Sequence, residues 1–129
     1  STLIDDSYNA SPLSMQSAIE TVGEIQAKQK IAILGDMKEL GEFSRSAHRQ
    51  IGELAAKVFD VLIAIGSEAK EYAEAALRHK FPKKNVLHAQ KIEEVLPVLR
   101  DYIQEGDIVL IKGSHSVGLE KAVAALQEI

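Results

Sequence analysis

The sequence predicts an α/β domain with a mostly parallel sheet of about five or six strands flanked by helices. Three observations carry this prediction. Short apolar runs typical of buried strands alternate along the chain with longer segments of helical periodicity. The length, 129 residues, is that of one ordinary domain. The composition, 46% hydrophobic and 26% charged residues, is typical of a globular protein with its own core. We therefore expect a single folded unit over residues 1–129.

Five apolar runs are predicted as strands. They cover residues 2–4, 31–34, 61–65, 86–88 and 108–111. A helix is predicted after each strand. The first covers residues 12–25, the second starts after a cap at residue 44 or 46 and runs to 58, the third follows a cap at residue 67 and runs to about 80, and the last two cover about 92–104 and 119–126. Strands and helices that alternate at this spacing indicate βαβ units with right-handed crossovers, and hence a Rossmann-like sheet.

Serine and proline mark where several of these helices should begin. Ser11-Pro12 combines a good N-cap with a proline that fits the first helical position. We expect Ser44 or Ser46 to cap the second helix and Ser67 to cap the third. Pro97 lies inside the fourth predicted helix, where it should kink the helix or delay its start.

Charge and hydropathy exclude two classes of partner. The formal net charge is −4, and the longest basic run is Lys83-Lys84. Because nucleic-acid binding needs clustered lysine and arginine, we expect no nucleic-acid partner. The apolar runs fall far short of the ~20 residues that cross a bilayer, so we expect no membrane partner. The chain has no cysteine, which suits a reducing compartment, and we expect it to be cytoplasmic.

Motifs that would make the chain a complete enzyme are absent from the sequence. It contains no G-x-x-x-x-G-K-[ST] phosphate loop, no G-x-G-x-x-G, no H-E-x-x-H and no G-x-S-x-G. The four histidines show no zinc spacing, so we assign no metal ligand. A complete hydrolase or kinase is therefore not expected. The start at Ser1 without an initiator methionine favours part of a longer chain.

Polar residues follow three of the five predicted strands. Asp5-Asp6 ends the first strand, and Tyr8 and Asn9 come shortly after it. Residues 35–38 follow the second strand and residues 112–116 follow the last. Because ligands of parallel sheets bind at the carboxyl ends of the strands, these three ends are the candidate site. The ends after residues 65 and 88 carry no comparable chemistry.

Each of these ends has a functional and a structural interpretation. Asp6 can accept two hydrogen bonds from a ribose diol, or it can make an Asx turn. Tyr8 can stack on a base and Asn9 can pair with a base edge, or both can serve a turn. Residues 35–42, half of them charged, can place a substrate ammonium or carboxylate, or form a solvated connection. Residues 112–116 can bind an anion before a helix, or cap that helix.

The remaining polar candidates favour structural interpretations. Ser116 is expected to N-cap the last helix. His48 lies alone on a predicted helix, where a structural role is the more common one and a functional role stays open. His79 and His88 are interpreted as surface or packing residues.

Taken together, the polar strand ends match one family. Three blocks resemble the C-terminal domain of the Mur ligases. The first is residues 3–12 (Leu-Ile-Asp-Asp-Ser-Tyr-Asn-Ala-Ser-Pro) with Ser14-Met15, and the second is residues 33–37 with Glu39-Leu40-Gly41, His48 and Gly52. The third is Lys112-Gly113-Ser114 with Glu120. The blocks occur in the order of the family and span nearly the whole chain. The Tyr-Asn-Ala sequence resembles the members that add D-alanyl-D-alanine to UDP-N-acetylmuramoyl-tripeptide.

The resemblance implies a three-domain cytoplasmic ligase of peptidoglycan synthesis. Its N-terminal domain holds the UDP-sugar, its central domain holds the phosphate loop and the Mg²⁺ sites, and its C-terminal domain closes over ATP and brings the amine. ATP converts the terminal carboxylate of the tripeptide into an acyl phosphate. The amine of D-alanyl-D-alanine then forms the amide, and ADP and phosphate leave. The implied partners are these substrates and the chain's own N-terminal and central domains. This domain is expected to be inactive alone.

The resemblance also implies roles for particular residues. Asp6 matches the aspartate that holds the ribose of ATP, and Tyr8 and Asn9 match positions beside the nucleotide. None of these residues is catalytic, and the Mg²⁺ ligands are expected in the central domain.

A second group matches loops that face the peptide and the dipeptide. This group consists of Asp36, Lys112 and Ser114, with His115 at a position where the family usually has arginine. Arginine can bind a carboxylate in bidentate geometry at any pH, whereas histidine offers fewer donors and titrates near neutrality. The substitution therefore changes the chemistry available at His115.

Two alternatives have the same general fold. A free-standing α/β binding module or response-regulator-like domain would need an acidic pocket and a lysine, which Asp5-Asp6 and Lys112 could supply. Such a regulator should carry its acceptor aspartate after the third strand, but that strand ends on Gly66-Ser67. The other alternative is the C-terminal domain of another Mur ligase or of folylpolyglutamate synthetase. The Tyr-Asn-Ala and Gly-Asp-Met sequences disfavour it.

Overall fold

A single parallel sheet organises the chain. The computed structural model describes residues 2–6, 10–114 and 118–127, apart from the side chain of Asp6. Within these residues the strands are β1 (Thr2–Asp6), β2 (Gln29–Gly35), β3 (Val61–Ile65), β4 (Val86–Ala89) and β5 (Asp107–Lys112). Their order across the sheet is β1-β5-β2-β3-β4, and every pairing is parallel. The predicted α/β class is confirmed, with five strands.

The helices connect the strands as the alternating pattern predicted. They are α1 (Pro12–Gly23), α2 (Ser44–Val58), α3 (Lys70–Arg78), α4 (Leu99–Tyr102) and α5 (Glu120–Leu126). Short 3-10 turns cover Gly41–Phe43, Lys83–Asn85, Ile92–Glu94 and Leu96–Val98. None of the helices in the described ranges is long and apolar enough to cross a membrane.

The helix predicted over residues 92–104 is much shorter in the structure. Two 3-10 turns precede α4, and α4 itself contains four residues. Pro97 explains the late start, as the sequence predicted, because it lacks the N–H that a position inside an α-helix must donate. The amides of Val98 and Leu99 instead share the carbonyl of Val95, at 3.0 and 3.1 Å.

Of the predicted N-caps that fall in the described residues, one is confirmed. The Ser11 hydroxyl oxygen accepts the Ser14 N–H at 3.1 Å, and the Ser14 hydroxyl oxygen accepts the Ser11 N–H at 2.9 Å. The predictions for α2 and α3 were wrong. Phe43 and Ala69 occupy the two N-cap positions without side-chain bonds. Ser44 is already the first residue of α2, and its hydroxyl bonds to Glu68 instead.

Both faces of the sheet are covered, and the strands alternate between two cores. Strand residues facing α1, α2 and α3 include Ala32, Leu34, Leu62 and Leu110. Strand residues facing α4 and α5 include Ile31, Ile33, Ile63 and Ile111. The connection after β2 therefore leaves towards one face, and the connection after the adjacent β5 leaves towards the other. Such a switch point creates a crevice at the carboxyl ends, where ligands of open α/β sheets bind.

The strand order overturns the response-regulator alternative. A flavodoxin-like regulator has the order 2-1-3-4-5, in which the first strand is internal. Here β1 lies at an edge of the sheet, beside β5.

Candidate functional site

Ser114 joins the carboxyl ends of β2 and β5. Its N–H donates to the Asp36 carbonyl at 2.9 Å, and its hydroxyl oxygen accepts the Lys38 N–H at 3.1 Å. Gly113 permits this approach, because a Cβ there would lie 2.7 Å from the Cα of Gly35. Two of the three polar segments predicted from sequence therefore form one continuous surface.

The Asp36 side chain connects β2 to the end of β3. The carboxylate is almost fully buried, with an exposure of 1%. Its Oδ1 accepts the Ala69 N–H at 2.7 Å, and its Oδ2 accepts a bond from Lys38 Nζ at 3.2 Å. Gly66 has a φ of +121°, and a Cβ there would lie 2.3 Å from Oδ1. Asp36 thus stabilises the conformation of its own loop, and both of its oxygens have partners inside the domain.

The ammonium of Lys38 lies between the buried carboxylate of Asp36 and the partly exposed carboxylate of Glu68. Besides Asp36, it approaches Oε2 of Glu68 at 3.8 Å. Oε1 of Glu68 accepts a hydrogen bond from the Ser44 hydroxyl at 2.6 Å. The Lys38 side chain is 43% exposed, so its charge remains accessible to solvent.

His48 lies behind this loop and is fully buried. Its Nε2 lies 3.0 Å from the Met37 amide nitrogen, and its Nδ1 lies 2.7 Å from the Ser44 carbonyl oxygen. Because the Met37 N–H is a donor and the Ser44 carbonyl an acceptor, these contacts assign the neutral tautomer with its proton on Nδ1. The contacts support the structural interpretation of His48.

Tyr72 on α3 is buried beside His48, behind the loop of residues 36–38. Its hydroxyl donates to the Gly35 carbonyl at 2.9 Å, and its ring centre lies 4.9 Å from that of His48. Burial raises the pKa of Tyr72 well above its usual value near 10, and the negative charges of Asp36 and Glu68 add to the effect. The phenol is therefore a neutral donor over the whole physiological pH range.

Three residues in or behind this loop are possible metal ligands by type, but their contacts do not fit a metal ion. Ligand atoms of Asp36, His48 and Glu68 all lie within 4.8 Å of one another. However, both ring nitrogens of His48 are engaged by backbone groups. The cation that approaches both carboxylates is the ammonium of Lys38. We therefore derive no metal chemistry from these three residues.

Lys112 and Asp6 are neighbours across the sheet. Lys112 is the last residue of β5, pairs in register with Asp6 of β1 and Leu34 of β2, and is 1% exposed. The polar loop after β5 therefore begins at Gly113, one residue later than predicted, because Lys112 still belongs to the ladder. This places a buried cation beside the end of β1.

Comparison with known proteins identifies the family. Residues 1–115 match the family described as the Mur ligase, glutamate ligase domain. The chain belongs to this Mur ligase family. The match includes all three strand ends that carry the predicted site residues.

Individual relatives of this Mur ligase domain cover almost all of it. The UDP-N-acetylmuramoyl-tripeptide–D-alanyl-D-alanine ligase of Bacillus subtilis is 33% identical over 129 residues, which covers 98% of this chain and 28% of that protein. The ligase of the same name from Escherichia coli is 34% identical over 130 residues, with 98% and 27% covered. The chain thus spans little more than a quarter of the length of these relatives.

Solved structures show the same likeness. MurF ligase from Thermotoga maritima in complex with ADP aligns with a TM-score of 0.80 at 30% identity, over 98% of this chain and 28% of that one. A MurF structure from Acinetobacter baumannii aligns with a TM-score of 0.83 at 32% identity, with 98% and 28% covered. The five-stranded parallel sheet is therefore the fold of the matching MurF region.

Some predicted positions of the Mur ligase domain lie outside the described residues. These are Tyr8, Asn9, His115 and the expected cap Ser116. The backbone of Asp6 is described as the end of β1, but its side chain is not.

Sequence reasoning missed several residues that build the site of this Mur ligase domain. They are Ser44, Gly66, Glu68, Ala69 and Tyr72. The end of β3 carries no unusual sequence chemistry, yet it supplies the Ala69 amide to Asp36. One available signal was the glycine directly after a buried strand, since a glycine there often permits a backbone conformation closed to other residues.

Proposed function

We propose that the chain is the C-terminal domain of a UDP-N-acetylmuramoyl-tripeptide–D-alanyl-D-alanine ligase, which uses ATP to form a C–N bond in peptidoglycan synthesis. The observation that carries the proposal is the meeting of the strand ends. Ser114 joins residues 36–38 to β5, and Lys112 lies in register with Asp6. The segments that resemble three separate blocks of the family thus lie along one edge. The relatives that share this ligase name support the choice within the family.

On the nucleotide side, the proposed contacts come from the end of β1. The Asp6 carboxylate would accept hydrogen bonds from both ribose hydroxyls of ATP, and Tyr8 and Asn9 would contact the adenine. A structural relative from Thermotoga maritima contains ADP, which supports a nucleotide site in this enzyme class. These contacts bind and orient ATP but do not touch the phosphates.

On the peptide side, the proposed contacts come from the residues that follow β5 and from residues 36–38, which Ser114 joins to them. The Ser114 oxygen accepts a bond from Lys38, so its hydroxyl hydrogen remains available to donate to a carboxylate or carbonyl of the substrate. His115 follows directly. We also assign Lys112, the buried last residue of β5, to this group. Asp36 shapes the surface from behind, because its oxygens bond within the domain.

The chemistry of phosphoryl transfer would come from the rest of the enzyme. Such transfer needs a phosphate-binding loop and Mg²⁺, and we place both in the central domain. This domain would bring the amine of D-alanyl-D-alanine to the acyl phosphate formed on UDP-N-acetylmuramoyl-tripeptide. Its partners would be these substrates and its own N-terminal and central domains, in the cytoplasm.

A reconstituted ligation assay tests the proposed function. The longer enzyme that contains this chain is supplied with Mg²⁺, ATP, UDP-N-acetylmuramoyl-tripeptide and D-alanyl-D-alanine, and the product amide and released phosphate are measured. Both should appear only with the complete set. Acceptance of a single amino acid in place of the dipeptide would favour another Mur ligase or a folylpolyglutamate synthetase.

The 129-residue chain alone provides a second test. It should neither ligate nor hydrolyse ATP, since it lacks the phosphate loop. Its affinity for ATP should be millimolar or weaker, which corresponds to about −4 kcal/mol. Micromolar binding in calorimetry would indicate an autonomous nucleotide-binding module and contradict the divided site.

A further inference from the structure

His48 contacts the loop that joins the two strand ends, and we propose that it is a positioning residue for the peptide-facing surface. It acts by fixing the Met37 amide, and through it residues 36–38 against Ser114. The inference rests on the proposed function of that surface. It gives His48 a role in substrate binding that goes beyond packing.

The loop is fixed from two sides at consecutive residues. On the crevice side, Ser114 bonds to the Asp36 carbonyl and to the Lys38 amide. On the buried side, His48 Nε2 accepts the amide of Met37, which lies between them. The Met37 side chain is itself fully buried. Rotation of the Met37 peptide group would therefore break the contact to His48 and misalign both contacts to Ser114.

Groups outside the loop of residues 36–38 also orient the imidazole of His48. Nδ1 lies 2.7 Å from the Ser44 carbonyl one helical turn earlier, and the ring packs against that of Tyr72. The Ser44 hydroxyl, 3.2 Å from Nδ1, donates to Glu68. A ring fixed by two helices is a rigid reference point for a loop. Rigid support of this kind decides how accurately a binding surface is placed.

Two variants separate the contact with Met37 from the contact with Ser44. His48→Gln places an amide oxygen near the position of Nε2, where it can accept the Met37 N–H. His48→Asn has a shorter side chain that can reach the Ser44 carbonyl but not Met37. Both replace the ring by a buried amide, so a role in packing alone would be lost to a similar degree in both variants.

Hydrogen exchange of the longer enzyme reports on the loop without reference to activity. Exchange in a peptide covering residues 36–38 should be about tenfold faster in His48→Asn than in the wild type, because local opening becomes easier. In His48→Gln it should stay within about threefold of the wild type. Equal exchange in the two variants would overturn the proposal.

Steady-state kinetics of the same proteins test the consequence for substrate binding. His48→Asn should raise KM for D-alanyl-D-alanine about tenfold and leave KM for ATP within about twofold, while His48→Gln should restore the dipeptide value. Parallel changes of both KM values, or no difference between the variants, would overturn the positioning role. If His48→Asn fails to fold, a stable His48→Gln with a tenfold raised KM would also overturn it.

The wild-type enzyme distinguishes failure of this inference from failure of the proposed function. A wild-type enzyme that does not ligate the dipeptide refutes the function, whereas the exchange comparison still decides whether His48 positions the loop.

Discussion

The hydroxyl oxygen of Ser114 accepts the backbone N–H of Lys38 at 3.1 Å, across a separation of 76 residues in the sequence. A second bond, from the Ser114 N–H to the Asp36 carbonyl, lies beside it. Both bonds use the backbone of the β2 loop, so they fix its path whatever side chains it carries. The loops after β2 and β5 should therefore respond together to substitution.

Replacing Ser114 by alanine tests this connection. The variant loses the acceptor for Lys38 but keeps its own N–H bond to Asp36, so the free energy of unfolding should fall by about 1 kcal/mol. Urea unfolding of the 129-residue chain measures the change. Ser46→Ala is the control, because the Ser46 hydroxyl donates to the Phe43 carbonyl at an exposed helix start, and it should cost about 0.5 kcal/mol or less. Equal losses would contradict the special role of Ser114.

Gly66 and Gly41 form a matched pair that tests the contact between β3 and Asp36. Gly66 has a φ of +121°, and a Cβ would lie 2.3 Å from Asp36 Oδ1. Gly66→Ala should therefore destabilise the domain by about 3 kcal/mol or more, through backbone strain and displacement of a buried carboxylate. Gly41 has a φ of +56° but no atom within 4 Å of a Cβ, so Gly41→Ala should cost about 1–2 kcal/mol. Similar losses of stability for the two variants in thermal unfolding would contradict the close contact between Gly66 and Asp36.

The packing of α2 on α3 depends on Gly52. A Cβ there would lie 2.5 Å from the Tyr72 carbonyl oxygen and 2.8 Å from its Cα, and backbone atoms cannot move aside cheaply. Gly52→Ala should destabilise the domain by about 1–3 kcal/mol. Gly23, the last residue of α1, has only the Val58 side chain near a Cβ, at 3.4 Å and beyond. Gly23→Ala should be neutral or stabilise by up to about 1 kcal/mol. The same loss at both positions in urea unfolding would contradict this argument.

The strands could be predicted because they are buried on both faces. The run at residues 61–65 is apolar throughout, and β3 occupies the same five residues, all buried. Local chemistry was also sufficient at Ser11-Pro12, where the cap and the first helical position agree. It failed at Ser44, because a tertiary partner, Glu68, takes the hydroxyl that the capping rule would assign to the backbone. Near Pro97 the local rule was right about the late start, since α4 begins at Leu99, but the apolar periodicity did not predict that α4 has only four residues.

The site could be located at the carboxyl edge from sequence, but its internal contacts could not. The rule for parallel sheets brings residues 36–38 and 112–114 to one edge. It does not specify that His48 accepts the Met37 amide or that Ala69 donates to Asp36. Those contacts depend on how α2 and α3 pack across the sheet. No short-range pattern encodes that packing.

The buried phenol of Tyr72 predicts a loss of stability in alkali. Burial raises its pKa in the folded state, so below pH ~10 the phenol is neutral in both states and the full stability is present. Above that pH the unfolded chain ionises first, and stability falls as the pH rises towards the folded-state pKa. The phenolate absorbance of Tyr72 should therefore appear together with unfolding, as followed by circular dichroism.

Two variants assign that alkaline transition. Tyr72→Phe should lose the phenolate signal coupled to unfolding, and at neutral pH it should be about 1 kcal/mol less stable, because the Gly35 carbonyl loses its donor. Tyr102→Phe should keep the coupled signal. If the wild type ionises all of its three tyrosines while still folded, the buried hydrogen bond of Tyr72 does not persist in solution.

Asp6 is the residue on which the proposed ATP contact depends. A carboxylate bonded to both ribose hydroxyls should contribute about 1.5–3 kcal/mol, since hydrogen bonds to charged groups are the stronger kind. Asp6→Ala in the longer enzyme should therefore lower kcat/KM for ATP by roughly 10- to 100-fold. The change should appear mainly in KM, because the ribose is bound alike in the ground and transition states.

Asp5→Ala provides the control for Asp6, because it removes an equal charge from the neighbouring residue of β1, whose side chain is exposed. Its ATP kinetics should stay close to those of the wild type. If Asp6 binds ribose, the melting temperature of Asp6→Ala should barely change while KM for ATP rises. If Asp6 only makes a turn, stability should fall by about 1 kcal/mol and the ATP kinetics should stay unchanged. Measuring both quantities on the same variant decides between these roles, and a stability loss with unaltered ATP kinetics would remove Asp6 from the nucleotide site.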